Sequence, residues 1–273
     1  MTAQMELTID LARELELAEA SAAVRCVESA KSGESVQRFA VEPIAGGFAV
    51  YCGPDSPVTQ AVGLGLHGPV GDEEFDRLES FYFSRRETVR VETCPMADAT
   101  LINHYKQRGY HVSEFSNVMV RSASEDAKEG LPPGVEVRIA ANDQLDSWAE
   151  TVSEGFGEGR PRSPEIVSIM RTFAQVAGTE CYLASIDGRV AGGATLAVRG
   201  RIAGLFGAST LPEFRKRGVQ TALLRWRLRR ASELGCALAM SIALPGSISQ
   251  RNMSRVGFQS LYTRVKFERP YKP

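Results

Sequence analysis

Leu211-Pro212-Glu213-Phe214-Arg215-Lys216-Arg217-Gly218-Val219-Gln220-Thr221-Ala222-Leu223-Leu224 is the stretch on which the reading of this chain turns. A strand-like apolar run precedes it and an amphipathic pattern follows, which places it at a strand-to-helix junction. The first N–H groups of a helix have no intrahelical acceptor, and the helix dipole is positive at that end. Arg215, Lys216 and Arg217 just before such an end make a site suited to a pyrophosphate. Gly218 lets the backbone come close to the anion and take conformations that other residues avoid. The G-x-x-x-x-G-K-[ST] phosphate loop is absent. A plain charged loop ahead of a surface helix is the competing reading.

Working outward, the C-terminal half parses into alternating elements. A strand is predicted over 135–139, then a helix over 143–156 with Leu145, Trp148, Ala149, Val152 and Phe156 on one side. Ser163 and Pro164 read as the cap and first residue of a second helix reaching about Val176. Strands over 181–186 and 190–198 flank Asp187-Gly188, a hairpin signal. Gly200-Arg201 turns the chain into a strand over 202–211. A helix over 218–234 ends at Gly235, and a continuous apolar strand follows over 237–244. A short helix over 247–256 closes at Gly257, before a final strand over 258–268. The order is β-α-α-β-β-β-α-β-α-β.

Arg215-x-x-Gly218-x-Gln220 after Leu211-Pro212, set in that order of elements, resembles the acyl-CoA signature of the GNAT superfamily of N-acetyltransferases. The family pattern is R/Q-x-x-G-x-G/A after a strand ending V-x-P; Gln220 stands where the family has a small residue. The resemblance implies an α/β (α+β) fold, a mixed central sheet flanked by helices. It implies acetyl-CoA as co-substrate and no metal. Arg215, Lys216, Arg217, Gly218, Val219, Gln220 and Thr221 would hold the diphosphate. Pantetheine would add along the backbone of Ser209, Thr210 and Leu211, where an N–H would stabilise the oxyanion. Ser249 and Asn252 would lie beside the pantetheine and leaving sulfur; helix capping by Ser247 is the alternative account of that turn. The Gln220 amide is expected to donate to a phosphate, with simple crowding as the alternative.

The resemblance carries less about catalysis. The family often places an acidic tyrosine four residues before the glycine of the Gly-Phe pair; here that residue is Met253. Tyr262 is the nearest downstream candidate, with core packing as its other reading. Glu154 and Glu158 fall where the acceptor pocket is usually shaped, and either is a candidate to bind a cationic amine. The implied activity is acetyl transfer to the amine of a small molecule or peptide by direct attack. The alternatives are a non-catalytic acyl-CoA sensor or regulatory subunit, and a structural protein binding no CoA.

The N-terminal half repeats the closing pattern: a strand over 89–93, a helix over 99–108, Gly109-Tyr110, and a strand ending at Arg121. Gly109 and Gly257 each lie twelve residues before an arginine, Arg121 and Arg269. The polar segment 122–134 reads as a linker, so the expected domains are 1–125 and 133–273, a diverged tandem repeat. Where the first half should carry its anion loop it has His67-Gly68-Pro69-Val70-Gly71-Asp72-Glu73-Glu74, whose carboxylates would repel a diphosphate. Gly63-x-Gly65-x-x-Gly68 reads as a strand edge and turn.

Composition narrows the partners. The 273 residues carry 32 basic and 33 acidic side chains, a balance that does not point to nucleic acid or an anionic membrane. Arg225, Arg227, Arg229 and Arg230 read as solvated arginines on an amphipathic helix. No apolar run approaches the ~18 residues of a membrane span. Cys26, Cys52, Cys94, Cys181 and Cys236 are scattered, and His67, His104 and His111 lack metal-ligand spacing. A cytoplasmic monomer or homodimer is expected.

Overall fold

A computed structural model describes residues 5–30, 39–54, 56–123, 130–156 and 164–273. Contacts divide the chain into Met1–Val118 with Ser260–Pro273 as a first unit, and Met119–Gln259 as a second. Ser163, Glu158 and residues 124–129 of the expected linker lie outside the described residues.

The first unit begins with α1 (Ile9–Ala30), β1 (Ala40–Ile44), β2 (Gly47–Tyr51) and β3 (Gln60–Val62). It continues through α2 (Asp72–Phe83), β4 (Val89–Thr93), α3 (Thr100–Arg108) and β5 (His111–Ser122), which leaves the unit after Val118. Ala45 and Gly46, both at positive φ, turn β1 back onto β2. Gly109, at φ 75°, closes α3 in the left-handed conformation that glycine adopts without strain. Phe75, Leu78 and Tyr82 of α2 bury their apolar faces with Val91, Leu101 and Tyr105. The Tyr82 hydroxyl donates to the Val50 carbonyl, so its polar end is also satisfied.

The second unit follows the expected order. Its elements are β6 (Val135–Ile139), α4 (Leu145–Phe156), α5 (Pro164–Ala174), β7 (Thr179–Ile186), β8 (Arg189–Arg199), β9 (Ile202–Thr210), α6 (Val219–Glu233), β10 (Leu238–Ala243) and α7 (Ile248–Arg255). The strand order is β10-β9-β8-β7-β6, antiparallel except for the parallel β9–β10 pair. Asp187 and Gly188 both have positive φ, the turn geometry that matches strand twist in a two-residue hairpin. Trp148 of α4 is fully buried, and its indole N–H donates to the Ala194 carbonyl at 3.1 Å. No helix among the described residues is long and apolar enough to cross a membrane.

The final strand, β11 (Gln259–Arg269), pairs antiparallel with β4 and so joins the first unit. The contacts therefore divide the chain differently from the linker. Separately folding domains over 1–125 and 133–273 remain a proposal. Arg264 of β11, 1 % exposed, anchors a buried ionic cluster. Its Nη1 lies 3.3 Å from Glu16 and 2.6 Å from Glu19 of α1, and its Nε 3.4 Å from Glu92 of β4. Lys266 pairs with Glu92 at 3.2 Å and Glu114 at 2.9 Å, while Tyr262 donates to Glu16 at 2.7 Å. Removing one member of such a cluster strands the others, at a cost of about 3–5 kcal/mol.

Burial pushes the Glu16 carboxyl from 4.5 up to about 7; Arg264 opposes the shift and Glu19 reinforces it. The folded state therefore binds this proton more tightly than the unfolded chain does. The stabilisation it contributes is complete below the unfolded value and is lost as pH rises through the folded one. Hydrogen-exchange protection of the α1 amides should fall between about pH 5 and about pH 8, and Glu16→Gln should flatten that fall. An equally steep profile in the variant would assign the dependence to another group.

Candidate acyl-CoA site

The site begins where two strands part. β9 and β10 pair in parallel only through Ile202–Leu238, Ala203–Ala239 and Gly204–Met240. Beyond that, β9 runs on to Thr210 and β10 to Ala243 without a shared ladder. A bulge re-aims β9: Gly193 of β8 stands opposite Ser209, yet Thr195 stands opposite Phe206. Gly207, at φ 57°, takes up the extra length.

Arg227 of α6 holds this bulge. It is 1 % exposed, and its Nη1 donates to the carbonyls of Thr195 at 2.9 Å and Phe206 at 3.2 Å, one on each strand. Its Nε donates to the Leu223 carbonyl at 3.0 Å. The expectation of a solvated arginine is thus corrected at this position: three buried carbonyls replace water around the guanidinium. Ser241 of β10 likewise donates to the Leu205 carbonyl at 2.7 Å.

Past the bulge, the backbone of Ser209, Thr210 and Leu211 forms the open lip. The Leu211 N–H already donates to the Ala191 carbonyl at 2.9 Å, so it is taken by β8. Hydrogen-bonding sides alternate along an antiparallel pair, and Thr210 therefore turns its N–H and C=O away from β8. Arg215 Nε approaches that Thr210 carbonyl at 3.5 Å, from the open side. Gly155, at the end of α4, packs so tightly on Ser209 that a Cβ there would come within 2.4 Å of the serine oxygen. Half-buried Glu154 is its neighbour in sequence.

The loop after β9 is a 3-10 turn, Pro212–Phe214, followed by two residues in the left-handed region, Lys216 at φ 64° and Gly218 at φ 84°. A Cβ on Gly218 would also meet Pro132 at 2.8 Å, so both space and dihedral favour glycine. Buried Val219 anchors the start of α6, and the Ala222 N–H makes its first hydrogen bond, to Gly218. The N–H groups of residues 216–221 donate to no backbone carbonyl among the described residues. Arg215 also donates to the Gly155 carbonyl at 3.2 Å, Arg217 lies 3.5 Å from Asp187, and Lys216 is exposed.

Across from this turn stands α7. Ser247 caps it, accepting from the Gln250 N–H at 3.1 Å. Ser249 and Asn252 instead meet Gln220: the Gln220 Nε2 donates to Ser249 Oγ at 3.2 Å, and Asn252 Nδ2 donates to Gln220 Oε1. The Gln220 amide is therefore held by α7 side chains, a use that the sequence reading did not weigh. Thr221 is half-buried beside it, and Met253 is buried. Tyr262 belongs to the first unit, where burial and Glu16 push its phenol far above its ordinary pKa. Its hydroxyl is engaged in a core contact, the other of the two readings open to it.

The matching turn of the first unit is closed by its own side chains. Asp72, Glu73 and Glu74 fill the first turn of α2, and Glu74 accepts from the Gly71 N–H at 3.3 Å. Thr100 accepts from the Val70 N–H at 2.9 Å, while the Val70 carbonyl lies 2.8 Å from His104 Nε2. Among the described residues no group of three His, Cys, Asp or Glu side chains is placed to hold a metal ion.

Residues 145–258 match the Acetyltransferase (GNAT) family model. That segment is similar to the family's domain, and the chain as a whole shares the fold of a tandem GNAT protein. A GCN5-related N-acetyltransferase from Kribbella flavida is similar with a TM-score of 0.66 at 14% identity, over 98% of this chain and 97% of that one. A tandem GNAT protein from the clavulanic acid biosynthesis pathway gives 0.63 at 15% identity, over 97% and 95%. A GCN5-related N-acetyltransferase from Sphaerobacter thermophilus gives 0.55 at 19% identity, over 68% and 61%. No curated protein matches the chain.

Arg227→Met should destabilise the second unit by about 1–3 kcal/mol for each carbonyl left without a donor. Denaturation followed by tryptophan fluorescence reads that unit alone, because Trp148 and Trp226 both lie in it. An unchanged midpoint would mean that the bulge stands without the guanidinium.

Proposed function

We propose that the second unit moves an acetyl group from acetyl-CoA to the amine of a small molecule or peptide. The observation that carries this reading is the unbroken run of uncommitted N–H groups over residues 216–221, continuous with the open lip of β9. Such a run suits a diphosphate followed by an extended arm. A thioester arrives already activated, so the chain's work is to bind, orient and stabilise charge. The Thr210 N–H is the lip donor suited to the carbonyl oxygen as it becomes an oxyanion. The amine nitrogen attacks the carbonyl carbon directly, and the carbon–sulfur pair leaves with sulfur. Glu154 and Glu158 are the carboxylates proposed to receive a cationic acceptor.

A second reading, a non-catalytic acyl-CoA sensor, is favoured by one feature: buried Met253 stands where the family often has its acidic tyrosine. Turnover of acetyl-CoA with a panel of amines separates the two. Calorimetry tests what they share. Gly218→Asp adds a charge and a side chain at a crowded left-handed position, and should weaken acetyl-CoA binding by more than about 100-fold. Glu74→Gln in the first unit should leave it unchanged. Equal affinity in Gly218→Asp, with an intact circular-dichroism spectrum, would place the diphosphate elsewhere.

A further inference from the structure

We propose that Arg215 selects the acyl donor: it occupies the lip of β9 until a phosphate draws it away, so that a thioester carrying a diphosphate is accepted and one on a bare pantetheine arm is refused. This rests on the acyl-CoA reading above. Thr210 turns its carbonyl away from β8, toward the side from which the arm would arrive. Arg215 Nε donates to that carbonyl at 3.5 Å, and Arg215 Nη2 donates to the Gly155 carbonyl at 3.2 Å. A single guanidinium thus spans from the lip to the end of α4. Gly155 lies in the last turn of α4, where carbonyls have no intrahelical donor and the helix dipole is negative. That end of the helix favours a cation, and Arg215 supplies it through two uncharged oxygens.

Ser209 and Leu211 turn their backbone groups toward β8, so Thr210 is the lip residue that an added strand would pair with. The arm's amide N–H needs the Thr210 carbonyl, which the guanidinium already holds. Letting the arm in costs Arg215 that bond. Arg215 is exposed and directly precedes residues 216–221, whose N–H groups donate to no backbone carbonyl among the described residues. A diphosphate on that run would offer Arg215 charged oxygens in the paired geometry that a guanidinium fits. A charge-assisted bond then replaces a weaker one, and the exchange is favourable. An arm without phosphate displaces the guanidinium and offers nothing in return. Selectivity of this kind comes from a penalty on the wrong ligand as well as a gain from the right one.

The test is calorimetry on the full-length protein with acetyl-CoA and with S-acetylpantetheine, the second by competition with the first so that weak binding is measurable. In Arg215→Ala the two affinities should move in opposite directions, acetyl-CoA weaker by about tenfold and S-acetylpantetheine tighter by about fivefold. Arg215→Lys keeps the charge but lacks the fork that spans both carbonyls; it should tighten S-acetylpantetheine while losing less acetyl-CoA affinity. Both ligands weakened alike in Arg215→Ala, or S-acetylpantetheine unchanged, overturns the inference and spares the acyl-CoA reading. Tighter S-acetylpantetheine with acetyl-CoA unchanged overturns the exchange with phosphate. Failure of the wild type to bind acetyl-CoA overturns both the inference and the reading it rests on.

Discussion

The parting of β9 from β10 is the constraint from which the second unit follows. Buried N–H and C=O groups have to find partners, and a strand that leaves its neighbour gives up a whole ladder of them. Arg227 of α6 and Ser241 of β10 answer for the carbonyls of Thr195, Phe206 and Leu205. What they leave unanswered is the Thr210 N–H and the N–H groups over 216–221. The site is the remainder after the protein has satisfied what it can.

The first unit meets the same constraint the other way. Its parallel β3–β4 pair is also short, joining only Ala61–Val91 and Val62–Glu92. There the turn ahead of α2 is filled by Thr100 and Glu74, and Asp98 donates its N–H to Gly65. Carboxylates at a helix start stabilise that start whether or not a ligand comes. A turn that is complete in itself has no donors to offer an anion.

Element order in the second half was legible because punctuation is local. Asp187-Gly188, Gly235 and Gly257 mark turns and ends by their own backbone preferences. Arg227 was not legible, since an arginine among arginines reads as surface. Its burial depends on carbonyls supplied by two strands that are distant in sequence. Leu211 shows the same limit: which N–H stays open depends on pairing to Ala191, a matter of register. The helix α1 and strands β1–β3 went unread because their signals conflict. Glu16 and Glu19 sit on the face of α1 that meets Arg264, where apolar residues would be expected, and Pro43 stands inside β1. The Gln220–Ser249–Asn252 cluster was half legible: each residue stood out by itself, but only helix packing joins them.

β11 follows the whole second unit along the chain, yet it brings Arg264 and Lys266 to Glu16, Glu19 and Glu92 of the first. On the ribosome, then, the part that starts first finishes last. Glu16 emerges from the exit tunnel long before its arginine, and those carboxylates wait through synthesis of the second unit with no internal cation. Contacts of such long sequence separation form slowly. All of the second unit, Met119–Gln259, precedes Arg264 and Lys266 along the chain. Assembly should therefore run from the middle of the polypeptide outward, with β11 as the closing strand.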